Sequence, residues 1–282
     1  MMKPGDVRAL LPRLRESQYD LVHIQTPFVA HYLGIEIADA LGVPRVETYH
    51  TFFEEYLFHY VPVLPKSGLR SLSRHFSRKQ CNRMNALIVP SFAMLDKLAE
   101  YGVMATMHVI PTGIPGAEFA TGDGDAFRNL HRIEKNRPTL LFVGYLDRPS
   151  ALLDCYRAAD AFVFASPNET QGLCRWGRSL GVPVISTGVM GTRDIVGPQR
   201  GALVPEDNEP DFARSVVKLM SDPALRARLG AEGRAYAAEW NAGALAGRLA
   251  DAYQEVIRVS SRVLPEPDKR KRNPPAADAA IR

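Results

Sequence analysis

Glu169, Gln171 and Gly172 lie in the run Ser166-Pro167-Asn168-Glu169-Thr170-Gln171-Gly172-Leu173, between an apolar stretch and a helical one. Where a strand ends and a helix begins, free backbone N–H groups suit an anion such as phosphate. The carboxylate of Glu169 repels such an anion, so its chemistry is to accept hydrogen bonds from hydroxyls. A site that takes both phosphate and polyol predicts a nucleotide sugar as ligand. A second candidate is His50, in Thr48-Tyr49-His50-Thr51-Phe52-Phe53-Glu54-Glu55-Tyr56, again at the carboxyl end of a strand. The carboxyl ends of parallel strands are where α/β proteins place ligands. A lone histidine at such an end is more often held by backbone, and His23 is read that way.

The elements that must position these residues alternate between apolar strands and amphipathic helices, which predicts a parallel α/β architecture. Strands are expected at 20–25, 45–49, 85–89, 107–110, 139–144 and 161–165. Helices are expected at 31–41, ended by Gly42, and at 92–101, capped by Ser91 and stopped by Gly102. Leu41-Gly42-Val43-Pro44 and Leu180-Gly181-Val182-Pro183 occupy matching helix-to-strand junctions. That echo predicts two Rossmann-like domains with parallel sheets facing across a cleft. The expected boundaries are a partial N-terminal domain at 1–115, a linker at 116–137, a shortened C-terminal domain at 138–258 and a disordered tail at 259–282.

Composition narrows the class. The chain has 282 residues, 46% hydrophobic and 23% charged, with a net charge of +4. Cys81, Cys155 and Cys174 show no paired spacing, which predicts reduced thiols rather than disulfides or a zinc site. No apolar run reaches the ~18 residues of a membrane span, and 1–6 has no signal-peptide core, so the expected location is cytoplasmic. There is no stacking motif or zinc finger to support nucleic-acid binding. Asp123-Gly124-Asp125 reads as a surface turn rather than a metal-binding pair.

Taken with its flanks, the central region resembles the retaining family 4 (group 1) glycosyltransferases of the GT-B fold. The residues that carry the resemblance are Tyr156-Arg157-Ala158-Ala159-Asp160-Ala161-Phe162-Val163-Phe164-Ala165-Ser166, then Glu169 to Leu173, then Leu180 to Ile185. It extends over about 19–257. It implies hexosyl transfer from a nucleotide sugar to a hydroxyl acceptor, with retention and without a metal or other cofactor. It implies acceptor binding by the first domain and donor binding by the second. Glu169 would hold sugar hydroxyls, the backbone at Gln171, Gly172 and Leu173 the phosphate side, and His50 the transferred sugar. Lys66, Arg70, Arg74, Arg78 and Lys79 with Leu69, Leu72 and Phe76 form a basic amphipathic helix over 66–79. Such a helix suits peripheral contact with the inner face of a membrane, which makes a lipid one candidate acceptor. An ordinary solvated face is the alternative.

The chain also departs from the family. The family's ribose-binding glutamate lies eight residues after the first, and that position is Gly177. Relatives place an arginine and a lysine for the donor diphosphate after a strand like 140–144, but here Tyr145-Leu146-Asp147-Arg148 follows. An internal deletion of ~60 residues, about two strand–helix units, accounts for this, and Arg148 is the nearest substitute cation. The first strand and its glycine-rich turn are also missing from the expected N-terminal domain. The alternative function is therefore a catalytically inactive remnant that at most binds a membrane or a partner.

Overall fold

Ala86-Leu87-Ile88-Val89 is apolar throughout, and the strand it forms is buried throughout, as a parallel strand covered on both faces must be. The computed structural model describes residues 4–50, 66–113, 122–142, 148–167, 169–170, 174–197 and 199–263. In it, this strand is β3 (Ala86–Val89) of a four-stranded parallel sheet ordered β1-β2-β3-β4. Its companions are β1 (Val22–Ile24), β2 (Arg45–Thr48) and β4 (Thr106–Val109), joined through α2 (Val29–Leu41), α3 (Lys66–Cys81) and α4 (Phe92–Glu100). Helix α1 (Pro4–Glu16) precedes them. Leu87 and Val89 pack with Ile24, Ile35, Met94 and Leu98 on one face. Ala86 and Ile88 pack with Val46, Ala252 and Val256 on the other.

A second four-stranded parallel sheet runs β5 (Leu140–Leu141), β6 (Ala161–Phe164), β7 (Val184–Ser186) and β8 (Ala202–Leu203), in that order. Around it lie α5 (Gly124–Leu130), α6 (Arg148–Ala158), α7 (Cys174–Ser179), α8 (Gly191–Val196), α9 (Glu209–Ser221) and α10 (Pro223–Ala238). Phe162 and Phe164 face a core with Tyr156, Leu180 and Ile195. Ala161 faces Ile185, Leu219 and Leu229 on the opposite side.

The repeated Leu-Gly-Val-Pro is a repeated structure. Gly42 and Gly181 both take left-handed φ, +69° and +78°, where glycine pays no Cβ penalty. Val43 N donates to Ala38 O at 3.1 Å, and Val182 N to Gly177 O at 2.8 Å, the six-to-one bond that closes a helix end. Pro44 O then accepts from Val22 N, and Pro183 O from Phe162 N, each at 2.9 Å. The motif thus ends a helix and sets the register of the strand beside it in both halves.

The structure differs from the sequence reading in places. The described part of the stretch read as linker, 116–137, contributes helix α5, integral to the second domain. Asp123 caps it by accepting from Ala126 N at 2.9 Å, so Asp123-Gly124-Asp125 is a helix start rather than a free turn. Arg128, 9% exposed, donates to Ala158 O at 2.8 Å and to Asp160 at 3.1 Å. The inward stripe of α3 is Leu69, Ser73, Ser77 and Gln80 with Phe76 half-buried, while Leu72 is 57% exposed beside the basic residues. Helix α11 (Ala242–Val263) crosses back to the first sheet and continues beyond the expected boundary at 258. The rest of the expected tail, 264–282, is outside the described residues.

Candidate functional site

Strand β2 delivers His50. Its last two residues, Glu47 and Thr48, are 4% and 7% exposed, and with Pro27, Tyr49, His50, Gln80 and Cys81 they line an open pocket. Tyr49 is tied down by its N–H to Ile88 O at 2.9 Å and by its hydroxyl to Ser77 at 2.9 Å. These contacts fix the backbone at the point where His50 leaves the sheet.

The histidines are electrostatically alike. Burial of its inner side lowers the pKa of His50, although the residue reaches solvent. Burial, followed by the charge of nearby His50, lowers His23 to about 4. One nitrogen of His23 bonds Thr48 Oγ1 at 2.6 Å and the other the Tyr253 hydroxyl on α11. Both imidazoles are therefore neutral near pH 7 and act as hydrogen-bonding groups rather than as cations. Burial raises the Cys81 thiol, so it is not a thiolate nucleophile.

From the other half, β6 ends at Phe164 and the chain brings Glu169 and Thr170, both half-buried, toward His50. Thr170 Oγ1 donates to His50 O at 3.3 Å. Glu169 O accepts from Gly191 N at 2.9 Å at the start of α8. A Cβ on Gly191 would fall 1.9 Å from Thr170 O, so only glycine lets α8 approach this closely. Asp194 on α8 accepts from the backbone N–H groups of Phe92 and, at 3.4 Å, Ala93. It thereby caps α4 across the two halves. Burial raises the pKa of Asp194, against the lowering by those two N–H groups.

His50 and Glu169 are thus brought to the same junction between the halves. Gln171, Gly172 and Leu173 lie outside the described residues, as do Thr51 to Tyr56. Arg148 opens α6. Gly177 is buried against the sheet rather than open to a ligand. A Cβ there would meet Phe162 Cβ at 3.3 Å and Val184 Cγ2 at 3.5 Å, so the position faces the core of the sheet. Among the described residues no three His, Cys, Asp or Glu side chains gather as a metal site. Glu47, Gln80, Thr170 and Asp194 were not legible as site residues; only the proximity of Thr170 to Glu169 could have marked one of them.

Comparison with known proteins gives two family matches, Glycosyltransferase Family 4 over residues 2–117 and Glycosyl transferases group 1 over residues 114–222. The chain is 28% identical over 240 residues to an alpha-monoglucosyldiacylglycerol synthase of Streptococcus pneumoniae, covering 62% of this chain and 53% of that protein. It is 38% identical over 109 residues to a D-inositol 3-phosphate glycosyltransferase of Streptomyces bingchenggensis, covering 38% of this chain and 24% of that protein. The chain thus spans about half or less of the length of these relatives. Its fold is similar to that of a sucrose-phosphate synthase from Thermosynechococcus elongatus, with a TM-score of 0.69 at 18% identity, covering 92% and 81% of the two chains.

Proposed function

Because the chain belongs to the family 4 (group 1) glycosyltransferases and has their two-sheet GT-B fold, we propose that it moves a hexosyl group from a nucleotide sugar to a hydroxyl acceptor. The observation that carries this reading is the meeting of Glu169-Thr170 with His50 across the two halves. Glu169 accepts hydrogen bonds from sugar hydroxyls, and the neutral imidazole of His50 contacts the transferred sugar from the acceptor side. The acceptor hydroxyl attacks the anomeric carbon on the face that the nucleotide leaves. The bond to the phosphate oxygen breaks, and that oxygen takes the hydroxyl proton, so configuration is retained and no metal is required.

A lipid acceptor fits the exposed surface of α3. Arg70, Arg74, Arg78, Lys79 and Leu72 are all exposed there, the composition of a helix that lies on an anionic membrane. No described helix is long and apolar enough to cross a membrane. Contact is therefore proposed as peripheral, at the inner face.

The second reading, a non-catalytic remnant, rests on the short edge strand β5. Leu140 in it is 42% exposed and Phe142, just after it, 68%. The pneumococcal alignment also spans 240 residues while drawing on only 62% of this chain, so some residues of that relative within it have no counterpart here. Loss of two charge-assisted phosphate contacts would weaken transition-state stabilisation by roughly 10²- to 10⁴-fold.

Calorimetric titration with UDP, GDP and their hexose conjugates separates the readings. A Kd tighter than about 100 μM, near −5.5 kcal/mol, supports glycosyl transfer. Absence of binding to every one of these ligands leaves the remnant.

A further inference from the structure

The pocket beside His50 contains polar groups that glycosyl transfer, as described above, leaves unused. Gln80 hangs from the inward stripe of α3 and is 4% exposed, yet its Nε2 has no hydrogen-bond partner. A buried amide in that state is rare and calls for a reason. Glu47, also 4% exposed, lines the same pocket. One of its carboxylate oxygens is bonded to Nδ1 of the fully buried His31 at 2.9 Å. His31 therefore pins the carboxylate against the pocket wall. The pocket is open to solvent and has enclosed room for about one water-sized group, which bears on which ligands fit. Among the described residues no lysine or arginine lines it, and the described arginines of α3 are exposed to solvent.

We propose that Gln80 and Glu47 form a subsite for one hydroxyl of a neutral polyol acceptor. The carboxamide N–H of Gln80 donates to the hydroxyl oxygen, and the hydroxyl proton is donated to Glu47. The hydroxyl is small enough for the space and is both donor and acceptor, which matches the pair. A phosphate in its place would bring negative charge against a fixed carboxylate, with no cation among the described lining residues to offset it. The subsite therefore selects uncharged glyceryl or glycosyl ends over phosphorylated ones. The term acceptor rests on the glycosyl-transfer reading; the binding preference does not.

The test is titration of the full chain, followed by saturation-transfer NMR, with methyl α-glucoside and with glucose 6-phosphate. Saturable binding of the glucoside, about 10-fold or more tighter than that of the phosphate, is expected. Gln80→Leu should weaken glucoside binding about 10-fold, the worth of one good hydrogen bond. Its fold should survive, since a buried unpaired amide is replaced by an apolar group of similar size. Glu47→Gln should narrow the preference against glucose 6-phosphate. Binding seen with the free glucoside marks a soluble source. Binding seen only on phosphatidylcholine vesicles carrying a glucosyl lipid marks a membrane source, and either supports the subsite. Glucoside binding unchanged in Gln80→Leu, or glucose 6-phosphate bound as tightly as the glucoside, overturns it. UDP and GDP are titrated alongside: if they fail to bind while the glucoside binds, the glycosyl-transfer reading falls and the hydroxyl subsite stands.

Discussion

Thr170 donates its hydroxyl hydrogen to the carbonyl oxygen of His50 at 3.3 Å. The residue following Glu169 is thus joined to the backbone of the residue expected to contact the transferred sugar. Another contact between the halves is made by Asp194, which caps α4 of the other half. Asp194 lies in α8, whose first residue, Gly191, donates to Glu169 O and so holds the chain beside Thr170. One short stretch therefore sets the Glu169 loop and the spacing of the two halves together.

Removing the cap should loosen that spacing. A carboxylate at a helix N-terminus is worth roughly 1–2 kcal/mol when it takes free N–H groups. Asp194→Ala should lower the denaturation midpoint accordingly and increase the radius of gyration measured by small-angle scattering. The exposed Arg193–Asp96 pair at 3.8 Å should contribute little, so Arg193→Ala should change neither. Identical scattering and stability for Asp194→Ala and the unmodified protein would dismiss the latch.

Gly177→Glu is expected to damage the fold rather than restore a ribose contact. Its new side chain would enter between Phe162 and Val184, combining overpacking with a buried charge. A loss of roughly 3–5 kcal/mol, or insoluble protein, is expected in urea titration and expression. A stable Gly177→Glu protein with tightened nucleotide binding would show that the position faces the cleft.

Acid should destabilise the protein in a defined window. His23 titrates near 6.5 when exposed and at about 4 when folded, so between these values the unfolded chain holds more protons. Stability is then full above about pH 6.5 and falls as pH drops toward 4. The lowered pKa of His50 acts in the same direction. Melting temperatures at pH 7, 6 and 5 should fall in the unmodified protein and fall less steeply in His23→Asn. Parallel slopes would refute the assignment.

Arg178 is 1% exposed; one nitrogen donates to Ile195 O, Nε and Nη2 have no partner, and the guanidinium lies 4.9 Å from the Tyr236 ring centroid. Burial lowers its pKa to about 10. A buried ion without a counter-charge is commonly replaceable by an apolar side chain at no loss. Arg178→Met should leave the melting temperature unchanged or raise it. A clear drop would mean that the cation has a role that its neighbours do not reveal.

The sequence made legible whatever depends on neighbours along the chain. The uninterrupted apolar runs of β3 and β6, the Ser91 cap of α4, whose Oγ accepts from Met94 N at 3.2 Å, and the paired Leu-Gly-Val-Pro turns are local. Glu169 was found because it follows the apolar run of β6, and His50 because it follows the end of a strand, β2. What was hidden depends on tertiary direction. Glu47 and His31 meet because α2 lies along β2, and Asp194 reaches Phe92 only once both halves are folded. Counting eight residues from Glu169 reached Gly177 but did not give the rotation of α7 that turns it toward Phe162. Apolar spacing on α3 likewise selected Leu72, whereas the inward stripe is Leu69, Ser73, Ser77 and Gln80, with serines that bond Arg70 O and the Tyr49 hydroxyl.

Helix α11 covers Val46, Ala86 and Ile88 with Ala252 and Val256, and Tyr253 reaches His23 from the same helix. On the ribosome, the first sheet is complete in sequence long before that helix emerges. The patch of Val46, Ala86 and Ile88 therefore waits for this cover through the synthesis of the entire second half, the interval in which uncovered apolar strands attract chaperones or stray partners. The half made first is therefore the half finished last.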